Sequence, residues 1–187
     1  MTNNEYFLVH YPLAINVEKL GEGQEIPEHL AFEQEIPAPF RMASEIAALD
    51  AQALQPLKLS NDATHALIGF LQQQNQKINT LLTYVLSQQD DPSIRYQTSS
   101  FSAGNCVFER NEVDTFSMGD KVLLKIFIPE ESAAVYCYAS VTGSKGKSVQ
   151  LSYQQIRDED REMLIRTTLH IQSKQLKLRA AQRTQSL

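Results

Sequence analysis

No proline stands between Pro56 and Pro92, and this gap constrains the fold more than any other feature of the chain. Ser60-Asn61-Asp62 offers capping side chains at one end. The spacing therefore predicts one uninterrupted helix over residues 62–89, about 42 Å long at 1.5 Å per residue. That is long for 187 residues, a length that corresponds to about one domain. Apolar residues recur along it in heptads. With Leu71, Ile78 and Val85 at a, the d positions are Leu67, Gln74, Leu81 and Gln88, and Ile68 and Leu82 widen the stripe at e. Such a stripe is broader than a two-stranded zipper needs. A buried Gln74 requires a polar partner, which its own copy in a neighbouring chain supplies, lowering stability while fixing register. The alternative is that the stripe packs on the chain's own core. The expectation is self-association through Leu67, Leu71, Gln74, Ile78, Leu81, Leu82 and Val85.

The flanking segments read differently. Residues 5–18 form one or two short strands broken at Pro12, and residues 20–40 an acidic connector with at most one short extended piece. Met42, Ile46, Leu49 and Ala53 repeat at helical spacing until Pro56. From residue 93 the period switches to two. Ile94–Thr98, Cys106–Phe108, Val122–Ile128, Ala134–Val141 and Ser148–Tyr153 read as strands. Turns fall at Met118-Gly119-Asp120, Pro129-Glu130-Glu131-Ser132 and Gly143-Ser144-Lys145-Gly146. A last helix opens at Arg157-Asp158-Glu159-Asp160-Arg161, with acids in its first turn where the helix dipole favours them. The class is α+β, with a small antiparallel barrel or sandwich. Its divisions are an N-terminal strand and connector over 1–40, a helical oligomerisation segment over 41–90, and the β-structure with its C-terminal helix over 91–187. Whether the N-terminal strand joins its own barrel or a neighbour's stays open.

Composition excludes several functions. A net charge of −5 argues against nucleic acid as the main partner. No apolar run is long enough to span a membrane. Met1-Thr2-Asn3-Asn4-Glu5 lacks the basic start of a secretory signal, so the expected location is cytoplasmic. Cys106 and Cys137 sit far apart in apolar strands and read as reduced, buried thiols. His10, His29, His65 and His170 have no metal-ligand spacing, and no metal is assigned. Gly146-Lys147-Ser148 imitates the end of a phosphate loop, but Val141 stands where the first glycine belongs and a strand follows where a helix is needed. No catalytic motif appears, so the chain is not expected to be an enzyme. Residues 161–187 carry six bases and one acid, net +5. That tail reads as a helix face complementing an acidic neighbour rather than as a polyanion site.

The second half then acquires a likeness. Ser100-Phe101-Ser102-Ala103-Gly104-Asn105-Cys106-Val107-Phe108 precedes Met118-Gly119-Asp120 and the strand Val122–Ile128. Two further strands and Ile156-Arg157-Asp158-Glu159-Asp160-Arg161 follow. This order resembles the PilZ domain of bacterial cyclic di-GMP signalling, over roughly residues 93–175. The resemblance implies a six-stranded PilZ-like β-barrel closed by a C-terminal helix, here with the long heptad helix inserted before most of the barrel. The family binds cyclic di-GMP through R-x-x-x-R before the barrel and (D/N)-x-S-x-x-G at an early strand. Paired guanidiniums suit phosphates and guanine edges.

Of the second motif, Ser100-x-Ser102-x-x-Asn105 keeps only Ser102, with Gly104 beside the position of the lost glycine. Of the first, only Arg95 stands before the barrel. Arg157-x-x-x-Arg161 and Arg179-x-x-x-Arg183 fit the letters as coincidences of a helical face. Losing two charge-assisted contacts of about 1.5–3 kcal/mol each weakens binding by roughly two to four powers of ten. The expectation is no cofactor and no tight cyclic di-GMP binding. The heptad helix and the missing motifs also resemble a divergent PilZ variant in which inserted helices assemble four chains. The resemblance thus implies a homotetrameric adaptor that contacts a further, unidentified protein in motility, adhesion or virulence. The alternative is a cyclic di-GMP receptor using Arg95, Ser100 and Ser102 in a non-standard site.

Overall fold

Strict alternation builds the barrel wall, and two-sided burial thickens part of it. The computed structural model describes residues 6–53 and 62–185. Ser60 and Asn61 of the expected cap and Pro56 of the expected stop lie outside the described residues. Six strands form: β1 (Ala14–Lys19), β2 (Arg95–Phe101), β3 (Asn105–Glu109), β4 (Lys121–Ile128), β5 (Ala133–Lys145) and β6 (Ser148–Gln155). They close into an antiparallel barrel in the order β1-β2-β3-β6-β5-β4. The first strand is the closing stave of its own barrel, with Ile15 opposite Tyr96 on one side and Ile126 on the other. Upstream of Pro12 the chain meets the barrel again at a bridge from Val9 to Phe101, and Thr98 of β2 donates to the Tyr11 carbonyl at 2.8 Å.

Along β2, Tyr96, Thr98 and Ser100 point inward while Arg95, Gln97 and Ser99 face water, the period-two pattern of a half-buried strand. That alternation is lost where both faces are covered, from Ile126 to Ile128 of β4 and from Ala133 to Ala139 of β5. Val122, Leu124, Ile126, Val135 and Cys137 fill the barrel with Ile15, Phe101, Phe108 and Leu151. Phe127, Ala134, Tyr136 and Tyr138 face outward into a second core.

Helices supply that second core. Four form: α1 (His29–Glu35), α2 (Ala38–Ala53), α3 (Asp62–Ser87) and α4 (Asp158–Gln185). The first corrects the expectation that residues 20–40 are only a connector. No Gly or Pro falls between Pro27 and Pro37; Phe32 lies within the helix, and Ile36, in extended conformation, ends it. Both are buried with Phe40 of α2 against Tyr136 and Tyr138. Pro37 separates α1 from α2, and Pro39 lies in the first turn of α2, where a missing N–H costs nothing. α4 lays Met163, Leu164 and Ile171 on the interior core.

A buried ion pair joins the two helical layers. Arg157 donates from Nε to Asp160 Oδ2 and from Nη2 to Oδ1, both at 2.9 Å. Its Nη2 also donates to Ser44 Oγ of α2 at 2.7 Å, and Ser44 in turn donates to Asp160. Arg157 and Asp160 are 7% and 0% exposed. The first arginine of Arg157-x-x-x-Arg161 is therefore no surface coincidence; it is the cross-brace between α2 and α4.

Candidate functional site

The residues expected to mark a nucleotide site are split between the two ends of β2. Arg95 opens the strand and Ser102 follows its last residue, so about 20 Å of extended chain separates them. At its own end Arg95 is paired: Nη2 lies 2.7 Å from Asp90 Oδ2 and Nε donates to Oδ1 at 3.0 Å. Asp90 also accepts from Asn16 Nδ2 at 2.9 Å. Asn16, 1% exposed, further donates to the Asp91 carbonyl and accepts from its N–H. Arg95 and Asn16 thereby fix the foot of α3 to β1 instead of waiting for a phosphate.

Ser102 and Asn105 do meet, in the β2–β3 turn, while Ser100 lies within β2 opposite Val107. The Ser102 hydroxyl accepts from the N–H groups of Gly104 and Asn105, both at 3.1 Å, and donates to the Asn105 carbonyl at 3.3 Å. It is fully engaged in shaping its own turn. Ser100 and Ser102 are buried. The turn is also covered from outside. Arg161 Nη1 donates to the Ala103 carbonyl at 2.9 Å, and its guanidinium lies 5.7 Å from the centre of the Tyr6 ring, within cation–π range. A Cβ on Gly104 would stand 2.9 Å from Tyr6 Cδ2. Tyr6 is held by the neighbouring Val9–Phe101 bridge, whose two bonds measure 2.9 and 3.0 Å. In the sequence Arg161 stands out only as the second letter of Arg157-x-x-x-Arg161, and Tyr6 only as part of the first apolar run.

Among the described residues no group of three or more His, Cys, Asp or Glu side chains could hold a metal. Cys106 and Cys137 are buried free thiols. Burial pushes the Cys106 thiol up to about 12 and the Cys137 thiol well above its ordinary value, so neither is a nucleophile near neutrality. A cleft of about 300 Å³ lies between Pro12–Ala14, Ile128–Glu131 and α4. Its mouth is crossed by Tyr11 donating to Glu130 at 2.7 Å and by His170 Nδ1, 3.0 Å from Glu131.

The most extended unsatisfied surface is α3. No side chain from Leu67 to Leu81 is buried. Leu82 and Leu86 in its last turns enter the second core, which holds the helix foot on the barrel and leaves the rest standing away. Leu82, expected in the interchain stripe, is thus corrected to the chain's own core. The a and d residues Leu67, Leu71, Ile78, Leu81 and Val85 are 42–67% exposed, with Gln74 half-buried among them. Because e faces the barrel side, the stripe widens at g, where Phe70 and Tyr84 are 55% and 65% exposed. In proteins most of a helix's stability comes from packing its apolar face rather than from intrinsic propensity.

The closed six-stranded barrel, its inserted helix and its closing α4 define a PilZ-like α+β fold. No family model matches the sequence, and no curated protein matches it. Solved structures do. A pathogenic protein from Xanthomonas campestris, described as a new tetrameric PilZ domain self-assembled via an unusual helical bundle, superposes with a TM-score of 0.52 at 10% identity, covering 93% of this chain and 92% of that one. The inhibitor of motility MotI/DgrA of Bacillus subtilis gives 0.48 at 13% identity over 93% of this chain; the chain spans only 53% of that protein. The PilZ domain of CeSA from a cellulose-synthesizing bacterium gives 0.34 at 10% identity, over 42% of this chain and 78% of that one. At such identities the likeness establishes the fold.

No helix among the described residues is long and apolar enough to cross a membrane.

Proposed function

We propose that this protein is a non-enzymatic, cytoplasmic PilZ-like adaptor of bacterial cyclic di-GMP-related signalling, in motility, adhesion or virulence. It assembles with copies of itself through α3, a tetramer being favoured, and acts by contacts with a further protein. The observation that carries this reading is the exposed a/d/g face of α3, where Leu67, Phe70, Leu71, Ile78, Leu81, Tyr84 and Val85 stand exposed along a single helix. A contiguous apolar face of this extent marks an interaction site. The tetrameric helical-bundle description of the Xanthomonas protein supports the same reading. The Ser102 hydroxyl engaged in its own turn, the Tyr6–Arg161 cover and the Arg95–Asp90 pair support weak or absent cyclic di-GMP binding.

Sedimentation velocity tests the assembly: the wild type runs as a tetramer and Leu71→Asp with Ile78→Asp as a folded monomer. A monomeric wild type, or an unchanged double variant, overturns it. Calorimetric titration with cyclic di-GMP tests the rest, with no heat expected at micromolar concentrations. Micromolar binding that disappears in Arg95→Ala would assign the chain instead to the cyclic di-GMP receptors.

A further inference from the structure

Two segments of opposite charge lie at opposite ends of the barrel. β1 and β4 run antiparallel, with Ala14 opposite Phe127 at one end and Lys19 opposite Val122 at the other. Residues 20–40, attached at the Lys19 end, contain Glu22, Glu25, Glu28, Glu33 and Glu35 and neither Lys nor Arg. They are tied there, because Glu25 pairs with Lys121 and Glu35 accepts from Tyr138 at 2.8 Å. Tyr138 stands opposite Leu123 near the start of β4.

α4 leaves the barrel at the opposite end. Lys174 Nζ lies 3.7 Å from Glu130, just beyond β4, and Gln175 donates to the His10 carbonyl at 3.1 Å. The helix then continues to Gln185 with no buried side chain among those described. Leu164, Ile171 and Leu178 lie seven apart on one face. The first two are buried, whereas Leu178 is 57% exposed because the barrel has ended beneath it. Residues 163–187 hold Arg166, Lys174, Lys177, Arg179 and Arg183 and no acid.

These two segments are opposite in charge, +5 over residues 163–187 against −5 over residues 20–40, yet cannot satisfy each other within one chain. The length of β1, about 17 Å, lies between them. Among the described residues Lys177 and Arg179 have no ion-pair partner, nor do Glu22, Glu28 and Glu33. A polyanion would meet a chain of net charge −5; a second copy offers an acidic patch of the required size.

We propose that the overhanging basic half of α4 docks on the acidic α1 end of a second copy, Leu178 seated among the charges. The contact is heterologous, each copy giving one surface and receiving the other. It rests on the self-assembly reading and adds a second interface to that of α3.

The two interfaces respond differently to salt. Over Asp62–Ser87 the only carboxylate is Asp62 and the only ammonium Lys77, so the α3 seam is nearly uncharged. Sedimentation of the full chain between about 50 and about 500 mM NaCl therefore reads the α4 contact. Association weakens with salt, and Lys177→Glu with Arg179→Glu lowers the association constant at low salt about tenfold. Adding Glu28→Lys and Glu33→Lys to that variant restores it, which no unfolded variant would do. The inference is overturned by salt-independent association, by an unaffected Lys177→Glu/Arg179→Glu variant, or by a charge swap that fails to restore assembly. It is also overturned by wild-type binding to vesicles of anionic phospholipid in place of self-association. If Leu71→Asp/Ile78→Asp disassembles the protein while Lys177→Glu/Arg179→Glu does not, the α3 reading stands and this one falls. A wild type that is monomeric at every salt concentration overturns both.

Discussion

Arg157 grips Asp160 through two parallel N–H···O contacts of 2.9 Å, in a place where neither side chain meets water. Removing one partner leaves the other charge buried without compensation. Asp160→Ala is expected to lower stability by about 3–5 kcal/mol in urea unfolding, and Asp160→Ala with Arg157→Met to recover most of that loss. A single variant as stable as the wild type would show that the brace between α2 and α4 carries no weight.

Two leucines of α3, eleven residues apart, should behave oppositely. Leu82 is 6% exposed in the second core and Leu71 is 48% exposed. Leu82→Ala is expected to cost about 2–5 kcal/mol through the cavity it leaves whatever the protein concentration. Leu71→Ala should leave the fold intact and change only the concentration dependence of unfolding. Denaturant curves over a hundredfold range of protein concentration separate the two.

At the β2–β3 turn, Gly104→Ala would drive a methyl group into the Tyr6 ring. Overpacking of this kind costs about 1–3 kcal/mol, and it falls on a ring that precedes the Val9–Phe101 bridge. The expected result is faster proteolysis within residues 6–9 and a loss of stability near the lower bound. In a Tyr6→Ala background the same substitution should be close to neutral. Equal effects in both backgrounds would mean that Tyr6 does not cover the turn.

The barrel thiols give a pH dependence of definite sign. Burial raises Cys106 from near 9 in the unfolded chain to about 12. A group whose folded value is raised contributes stability that is complete below its unfolded value and lost as the pH climbs toward the folded one. Stability should thus be flat with respect to this thiol near pH 7 and fall between about pH 9 and about pH 12. Exchanging both cysteines for alanine should flatten part of that slope. A thiol reagent at pH 8 should label neither cysteine until the protein is denatured.

The strands and the long helix were legible because one local period dominates each of them. β4 and β5 read as apolar runs, and the second layer of helices over Tyr136 and Tyr138 explains why β5 is buried without alternation from Ala133 to Ala139. α1 was missed because seven residues hold too few turns to display a period, and only Phe32 reports its buried face. The a and d positions of α3 could be assigned from spacing, whereas its flanks could not. Leu82 at e and Phe70 and Tyr84 at g are all apolar, and only contact with the barrel decides which side faces inward. The arginines were harder still. Arg157 finds Ser44 across 113 residues and Arg161 finds Ala103 across 58, separations that no local pattern encodes.

Asn16 has a consequence for anything the barrel binds. Its three hydrogen bonds to Asp90 and Asp91 clamp the base of α3 to a barrel strand, so helix and barrel turn as one body. Copies joined along α3 would carry their barrels at set bearings and spacings, like heads on a rigid frame. A partner with repeated binding elements would then gain avidity only if its own spacing matched that frame. The selectivity of such an assembly would reside in the distance between equivalent surfaces as much as in the surfaces themselves.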